Sequence, residues 1–279
     1  MNRTKSLNRI LGHSRVRRAL VPLVILAAAA CTHAAVPSEQ PIPEESSQSK
    51  ITTSGQLVSA MHDRYADNWY RTLRFSQSNT FYTQTGGEQK SRWVENLVVP
   101  GRLRIDFEPL SSRSGLLILN NRVTTFDNGK RVDTRRSIQA ILTLTADVYA
   151  IPARITIRRL DSLGIDLDKF REDRLDKKRV YVMGGDKDDL ESSQVWVDAD
   201  KLILLRIIQR EKRGDRAIVT DTRVGQYKDV DGFIVAHEFV SMRGGKPYFR
   251  EVYEDVRVNE AIPPSVFDPS KWVASQPTG

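Results

Sequence analysis

The fold class is decided by Val99-Pro100-Gly101-Arg102-Leu103-Arg104-Ile105-Asp106-Phe107, followed after a short break by Gly115-Leu116-Leu117-Ile118-Leu119-Asn120-Asn121-Arg122-Val123. From Leu103 to Phe107 apolar and charged residues alternate strictly, which is the period of a β-strand with one apolar and one wet face. Pro100-Gly101 supplies a turn before this strand. Asn120-Asn121 supplies one after the next, because Asn tolerates the left-handed backbone that tight hairpins need. Strands joined this closely run antiparallel.

The same pattern extends outward from this stretch. Strands are expected over 73–83, 90–98, 102–108, 115–119, 123–127 and 130–132, and again over 180–184, 194–197, 202–211, 217–230, 234–243 and 248–258. Gly86-Gly87, Asn128-Gly129, Asp198-Ala199-Asp200, Asp231-Gly232 and Gly244-Gly245 mark further turns. Two regions depart from period two. Leu57, Val58, Met61, Tyr65 and Trp69 recur at helical spacing and predict an amphipathic helix over 54–70. In the middle, Ile138, Ile141, Leu142 and Val148 share a helical face over 137–149, Pro152 ends it, and a second helix is expected over 153–163. The hairpin from Val195-Trp196-Val197 to Ile203-Leu204-Leu205-Arg206-Ile207-Ile208 is apolar on both faces for part of its length. An apolar sheet face has to be covered, and the helical segments are the available cover. They either pack it tightly or leave a hollow for an apolar ligand.

The N-terminus sets the compartment. Arg3, Lys5, Arg9, Arg15, Arg17 and Arg18 precede the apolar run Ala19–Ala30, with no acidic residue among residues 1–31. That run is shorter than the roughly 20 apolar residues a spanning helix needs, so a secretory signal is expected rather than an anchor helix. Cys31, the only cysteine, follows Ala28-Ala29-Ala30 and is a candidate for lipidation and membrane anchoring. The rival processing site is Thr32-His33-Ala34-Ala35. Residues 32–53, rich in Pro, Ser, Glu and Gln, read as a disordered tether, and residues 273–279 as a tail. Removing the six cations of the signal from the net +8 leaves +2, which takes away the electrostatic case for nucleic-acid binding. No disulfide framework, metal site or cofactor site is expected.

Chemistry-bearing patterns are sparse. From residue 54 onward the only histidines are His62, on the polar side of the first helix, and His237, in a strand between Ala236 and Glu238. Neither lies at metal-ligand spacing from a partner, and no Gly-x-Ser-x-Gly elbow occurs. Asp186, Asp188, Asp189 and Glu191 lack the spacing of a calcium loop and read as a solvated hairpin tip. Arg154, Arg158 and Arg159 read as a solvated helix face.

In its order of elements the chain resembles the LolA/LolB-like superfamily of periplasmic lipoprotein-sorting proteins. The Val99–Phe107 stretch is similar to that family's segment of Pro, Gly or Asn, basic, aromatic or Leu, Arg, aromatic. Leu117-Ile118-Leu119-Asn120-Asn121-Arg122-Val123 stands in the place of its strand–turn–strand. Val195–Asp198 with Leu202–Ile207 resembles its hairpin with an acidic turn. Tyr227-Lys228-Asp229-Val230-Asp231-Gly232-Phe233-Ile234-Val235 resembles the turn before a long strand, and Val258-Asn259-Glu260 with Ile262-Pro263 and Phe267 resembles its ending. The resemblance covers roughly residues 54–272. It departs where the sorting chaperone has an Arg before the motif's Pro, because Val99 stands here; no lid switch is carried over.

The resemblance implies an α+β, mainly β fold, a half-open antiparallel β-barrel under a helical lid. It also implies a non-catalytic periplasmic or outer-membrane carrier whose partners are lipids or lipoprotein acyl chains. The expected cavity wall is Leu103, Ile105, Phe107, Leu117, Leu119, Trp196, Leu205 and Ile207, with Ile138, Ile141 and Leu142 as the lid. A second function class, an envelope sensor or scaffold binding a protein partner, fits the same fold. An enzyme is the third.

Overall fold

The first helix is set by its cap. Thr53 Oγ1 accepts from the Gln56 amide at 3.2 Å, and Gln56 Oε1 accepts from the Thr52 amide at 2.8 Å, so one orphan donor of the first turn and the amide just before the cap are both partnered. In the computed structural model, which describes residues 50–276 apart from Gln84 and the side chain of Arg213, α1 runs Ser54–Tyr65. It ends before Trp69, earlier than its apolar stripe implies. The expected signal, Cys31 and nearly all of the tether lie outside the described residues.

The strands are β1 (Thr72–Tyr82), β2 (Glu88–Val98), β3 (Arg102–Phe107), β4 (Gly115–Leu119), β5 (Arg122–Asp127), β6 (Lys130–Arg136), β7 (Phe170–Leu175), β8 (Lys178–Met183) and β9 (Gln194–Asp198). They continue with β10 (Leu204–Arg213), β11 (Arg216–Gly225), β12 (Lys228–Val230), β13 (Phe233–Val235), β14 (Glu238–Arg243) and β15 (Lys246–Val258). Between β6 and β7 lie α2 (Ala140–Thr145), a 3₁₀ turn (Asp147–Tyr149) and α3 (Ala153–Ser162). Among the described residues no helix is long and apolar enough to cross a membrane.

Thirteen strands form one antiparallel sheet in the order β6-β5-β4-β3-β2-β1-β15-β14-β11-β10-β9-β8-β7, and β12 and β13 form a separate ribbon. The sheet is open, with β6 and β7 as its edges. Left-handed residue pairs close hairpins of the sheet and of the ribbon. Asn120-Asn121, Asn128-Gly129, Asp231-Gly232 and Gly244-Gly245 all have positive φ, as expected from their types. Asp176-Lys177, at φ 47° and 70°, makes the same turn between β7 and β8 without a glycine.

Helices α1, α2 and α3 lie on one face of the sheet, the inner face. Over β8–β11 they pack it solid: Leu57, Val58, Met61, Leu144, Val148 and Leu160 meet Met183, Val195, Val197, Leu204 and Ile207. The outer face of β3–β5 is closed by the C-terminal 3₁₀ turns Pro264–Phe267 and Pro269–Lys271. There Phe267 and Trp272 pack on Leu117 and Phe126, and Trp272 stacks on Phe126 at 4.2 Å. Gly115 is required at this seam, because a Cβ there would come within 2.0 Å of the Ile105 carbonyl oxygen and 3.0 Å of the Trp272 ring.

The wet face expected for β3 is therefore not wet. Arg104 is fully buried, donating to both Asp106 oxygens (2.7 and 2.8 Å), to the Trp272 carbonyl (2.8 Å) and to Ser275 Oγ (2.8 Å), with its guanidinium 3.9 Å over the Trp272 ring. A charge of this kind is tolerated inside because every donor direction is answered.

Candidate functional site

Over β1–β4 the inner face is not filled. A cavity of about 230 Å³ lies between it and α2. Leu73 and Phe75 of β1, Leu97 of β2, Leu103 and Ile105 of β3, and Leu116 and Ile118 of β4 form its floor. Period two puts these side chains on one surface. The register carries the surface from strand to strand: Leu73 faces Leu97, Leu97 faces Leu103, and Leu103 faces Ile118. Ile141 and Leu142 of α2 cover it from above, and Ile234, Val235 and Phe239 close one side.

Aromatic rings form the wall beneath the helices. Trp69 lies 4.0 Å from Tyr149 and 4.9 Å from Tyr70, and Tyr65 packs edge-on to Tyr149 at 5.1 Å. Burial pushes the Tyr70 and Tyr149 hydroxyls far above their ordinary range, so they act as hydrogen-bond donors, Tyr70 to Thr145 O and Tyr149 to Leu202 O. The cover is tied down by Asp147, whose carboxylate accepts from the Gly101 amide at 2.9 Å and from Arg159 at 2.5 Å. Arg159 is therefore a largely buried partner of the lid segment and not part of a solvated face. This tie joins the helical cover to the Pro100-Gly101 turn, next to the position where Val99 stands.

The expected wall residues divide into three groups. Leu103 and Ile105 line the cavity, as do Ile141 and Leu142 of the cover. Phe107, on the same face of β3, packs against Trp93 at 5.1 Å and lies outside the lining. Leu117 and Leu119 point the other way, into the C-terminal packing, and their neighbours Leu116 and Ile118 take the cavity positions. A run of five apolar-compatible residues gives no indication of which parity faces inward.

Trp196 and Leu205 are also on the outer face, with Val180 and Val182; the guanidiniums of Arg171 and Arg206 lie 5.2 and 5.0 Å over the Trp196 ring. Ile207 is inward but sits in the solid core beneath the helices. Leu205 and Ile207 part company because an irregularity in the β9–β10 register, between Leu204 and Arg206, breaks the alternation. Ile138 precedes α2, whose first residue is Ala140, and does not line the cavity.

Sequence reasoning missed the polar part of the lining. Gln77, Glu95 and Glu251 face the cavity from β1, β2 and β15. Gln77 Nε2 donates to Asn79 Oδ1 at 2.6 Å. Burial drives the Glu95 carboxyl well above the usual carboxylate range, with the nearby Glu251 charge adding to it, and burial pushes Glu251 up to about 7. The available signal was Glu95 at an inward position of a strand whose neighbours Trp93 and Leu97 are apolar.

His237 Nδ1 donates to Val235 O (3.0 Å), and burial lowers its pKa; His62 lies beside Asp63 at 2.9 Å. Among the described residues no group of three His, Cys, Asp or Glu could hold a metal ion.

No family model and no curated protein matches this sequence. Solved structures do match its fold. A domain from Vibrio parahaemolyticus assigned as an outer membrane lipoprotein-sorting protein aligns with TM-score 0.55 at 11% identity, over 78% of this chain and 97% of that one. A LolA superfamily protein from Nitrosomonas europaea aligns with TM-score 0.52 at 13% identity, over 78% and 98%. A DUF1329 family protein from Desulfovibrio piger aligns with TM-score 0.53 at 14% identity, over 78% and 97%. The fold is LolA-like.

Proposed function

We propose that this chain is an exported carrier that holds acyl chains of lipids or lipoproteins in the cavity between α2 and strands β1–β4, without catalysis. The observation that carries the reading is the contrast within one sheet face. The same helices pack β8–β11 solid yet leave a hollow over β1–β4 lined by Leu, Ile and Phe side chains. Interiors are normally filled to crystal-like density, so a hollow with apolar walls is a cost that a ligand relieves. Each methylene entering it contributes about 0.8 kcal/mol. At about 230 Å³ the cavity is below the roughly 300–1,000 Å³ of pockets that enclose a drug-sized ligand. A long acyl chain is accommodated by displacement of the Ile141 and Leu142 side of α2, a helix of six residues whose Ala140 and Leu144 pack into the core beside the hollow and whose following turn is tied by Asp147. The half-open barrel of this reading is the open sheet closed over by that cover. In this reading residues 1–31 serve as the export signal, with Cys31 lipidated or removed with the leader, and the carrier works in the periplasm or on the outer membrane.

Titration with 1-N-phenylnaphthylamine, a neutral apolar fluorophore, tests the reading. Saturable binding is expected, with competition by a palmitoylated peptide. Leu103→Trp or Ile105→Trp, which fill the cavity, should abolish binding while the circular dichroism spectrum is kept. A wild-type protein that binds neither probe contradicts the proposal.

A further inference from the structure

The cavity has a polar end. On β1 its lining passes from Leu73 through Phe75 to Gln77, and the register sets Glu95 opposite Phe75 and Glu251 opposite Asn79, so the two glutamates stand diagonally on either side of Gln77, from β2 and β15. Glu95 is 4% exposed, and neither carboxyl has a hydrogen-bond or ion-pair partner among the described residues. The neighbours facing them are Ile105 across β3, Phe239 across β14, and Trp93, Gln77 and Tyr253; Tyr253 is the only other titratable group of the set. No Lys, Arg or His enters. The one amide donor of Gln77 that is engaged is engaged on Asn79.

Two carboxyls lining one cavity with no cation, Glu95 buried and Glu251 half-buried, are an unanswered electrostatic demand. Ionised, they repel each other in a poorly solvated space; protonated, they are held far from their ordinary state. A positive charge at this end of the cavity would favour the ionised form of both, which could accept a charge-assisted hydrogen bond from it. An anionic head would bring a third negative charge to the same place. We infer that the cavity selects apolar ligands carrying a primary amine, whose ammonium group is held at the end lined by Glu95 and Glu251 while the chain lies over Leu73, Leu97, Leu103 and Ile118. This rests on the carrier reading and names the ligand class for it.

The test is displacement of 1-N-phenylnaphthylamine from the purified protein at pH 7.5 by dodecylamine, dodecanol and dodecanoate, each below its micelle concentration. Dodecylamine is expected to displace the probe at a concentration about tenfold lower than dodecanoate, with dodecanol between them, a factor readily carried by one buried charge pair. In Glu95→Gln/Glu251→Gln, measured against the variant's own probe affinity, the three competitors should fall within about threefold of one another. Should the double variant fail to fold, Glu251→Gln alone is expected to shrink the preference, and the wild-type order stands as a reading by itself. Probe binding with no preference, or with dodecanoate preferred, overturns this inference and leaves the carrier reading intact. Absence of probe binding to the wild type overturns the carrier reading and this inference with it.

Discussion

Strands β3 and β4 present two faces one residue apart in register, and the two are filled in opposite ways. Outward, Arg104, Asp106, Leu117 and Leu119 are sealed under Phe267 and Trp272, down to a guanidinium with no exposed surface. Inward, Leu103, Ile105, Leu116 and Ile118 border empty space under α2. On β3 the polar-looking face is the filled one and the apolar-looking face is the open one. A sheet can keep a hollow on one side because the other side is fastened independently of the ligand.

The largest effect should come from breaking the fastening. Arg104→Ala leaves Asp106 buried without its partner and removes the anchor of the C-terminal turns. A loss of about 3–5 kcal/mol is expected in chemical denaturation. Next is a direct contrast between the faces. Leu117→Ala, in the filled face, should cost about 4 kcal/mol, and Leu103→Ala, beside existing space, about 2 kcal/mol or less, because little of a new cavity is created there. Equal costs would show that the two faces are packed alike.

A smaller effect concerns the polar end of the hollow. The Glu251 carboxyl has an ordinary value of 4.5 and lies at about 7 in the folded chain. A raised carboxyl contributes its stability fully below the unfolded value and loses it as pH rises through the folded one. The empty protein should therefore weaken between about pH 4.5 and pH 8, and Glu95 acts in the same direction. Glu251→Gln is expected to be more stable than the wild type at pH 8 by about 2 kcal/mol, with no gain at pH 4, as read by thermal melts. Saturating dodecylamine should remove the wild-type loss.

Much of this organisation was legible in the sequence. The alternation from Leu103 to Phe107 and the left-handed turn residues at Asn120-Asn121 and Asn128-Gly129 locate β3–β6, because turn chemistry is local; Asp231-Gly232 locates the turn of the β12–β13 ribbon, but the strands expected over 217–230 and 234–243 merge that ribbon with β11 and β14. β7 was missed: Glu172, Asp173 and Arg174 give it a polar pattern, and its turn, Asp176-Lys177, carries no glycine. The cavity wall was legible only in part. Leu116 to Leu119 are all apolar, so their parity depends on what covers each face, and the cover of the outer face comes from Phe267 and Trp272, some 150 residues away in sequence. Arg104 read as exposed for the same reason. In β10 the register irregularity after Leu204 defeats a strict period-two reading of Leu205 and Ile207. Glu95 and Glu251 become a pair only through the β2-β1-β15 order.

The most direct test of the account is native mass spectrometry of the protein purified from a bacterial periplasm without detergent, with Ile105→Trp alongside. The expected result is a wild-type species carrying a reproducible extra mass of lipid size and a variant, equally folded, that is free of it. A wild type at its bare mass, which also takes up no added acylated peptide, would contradict the claim that the hollow over β1–β4 is a ligand cavity.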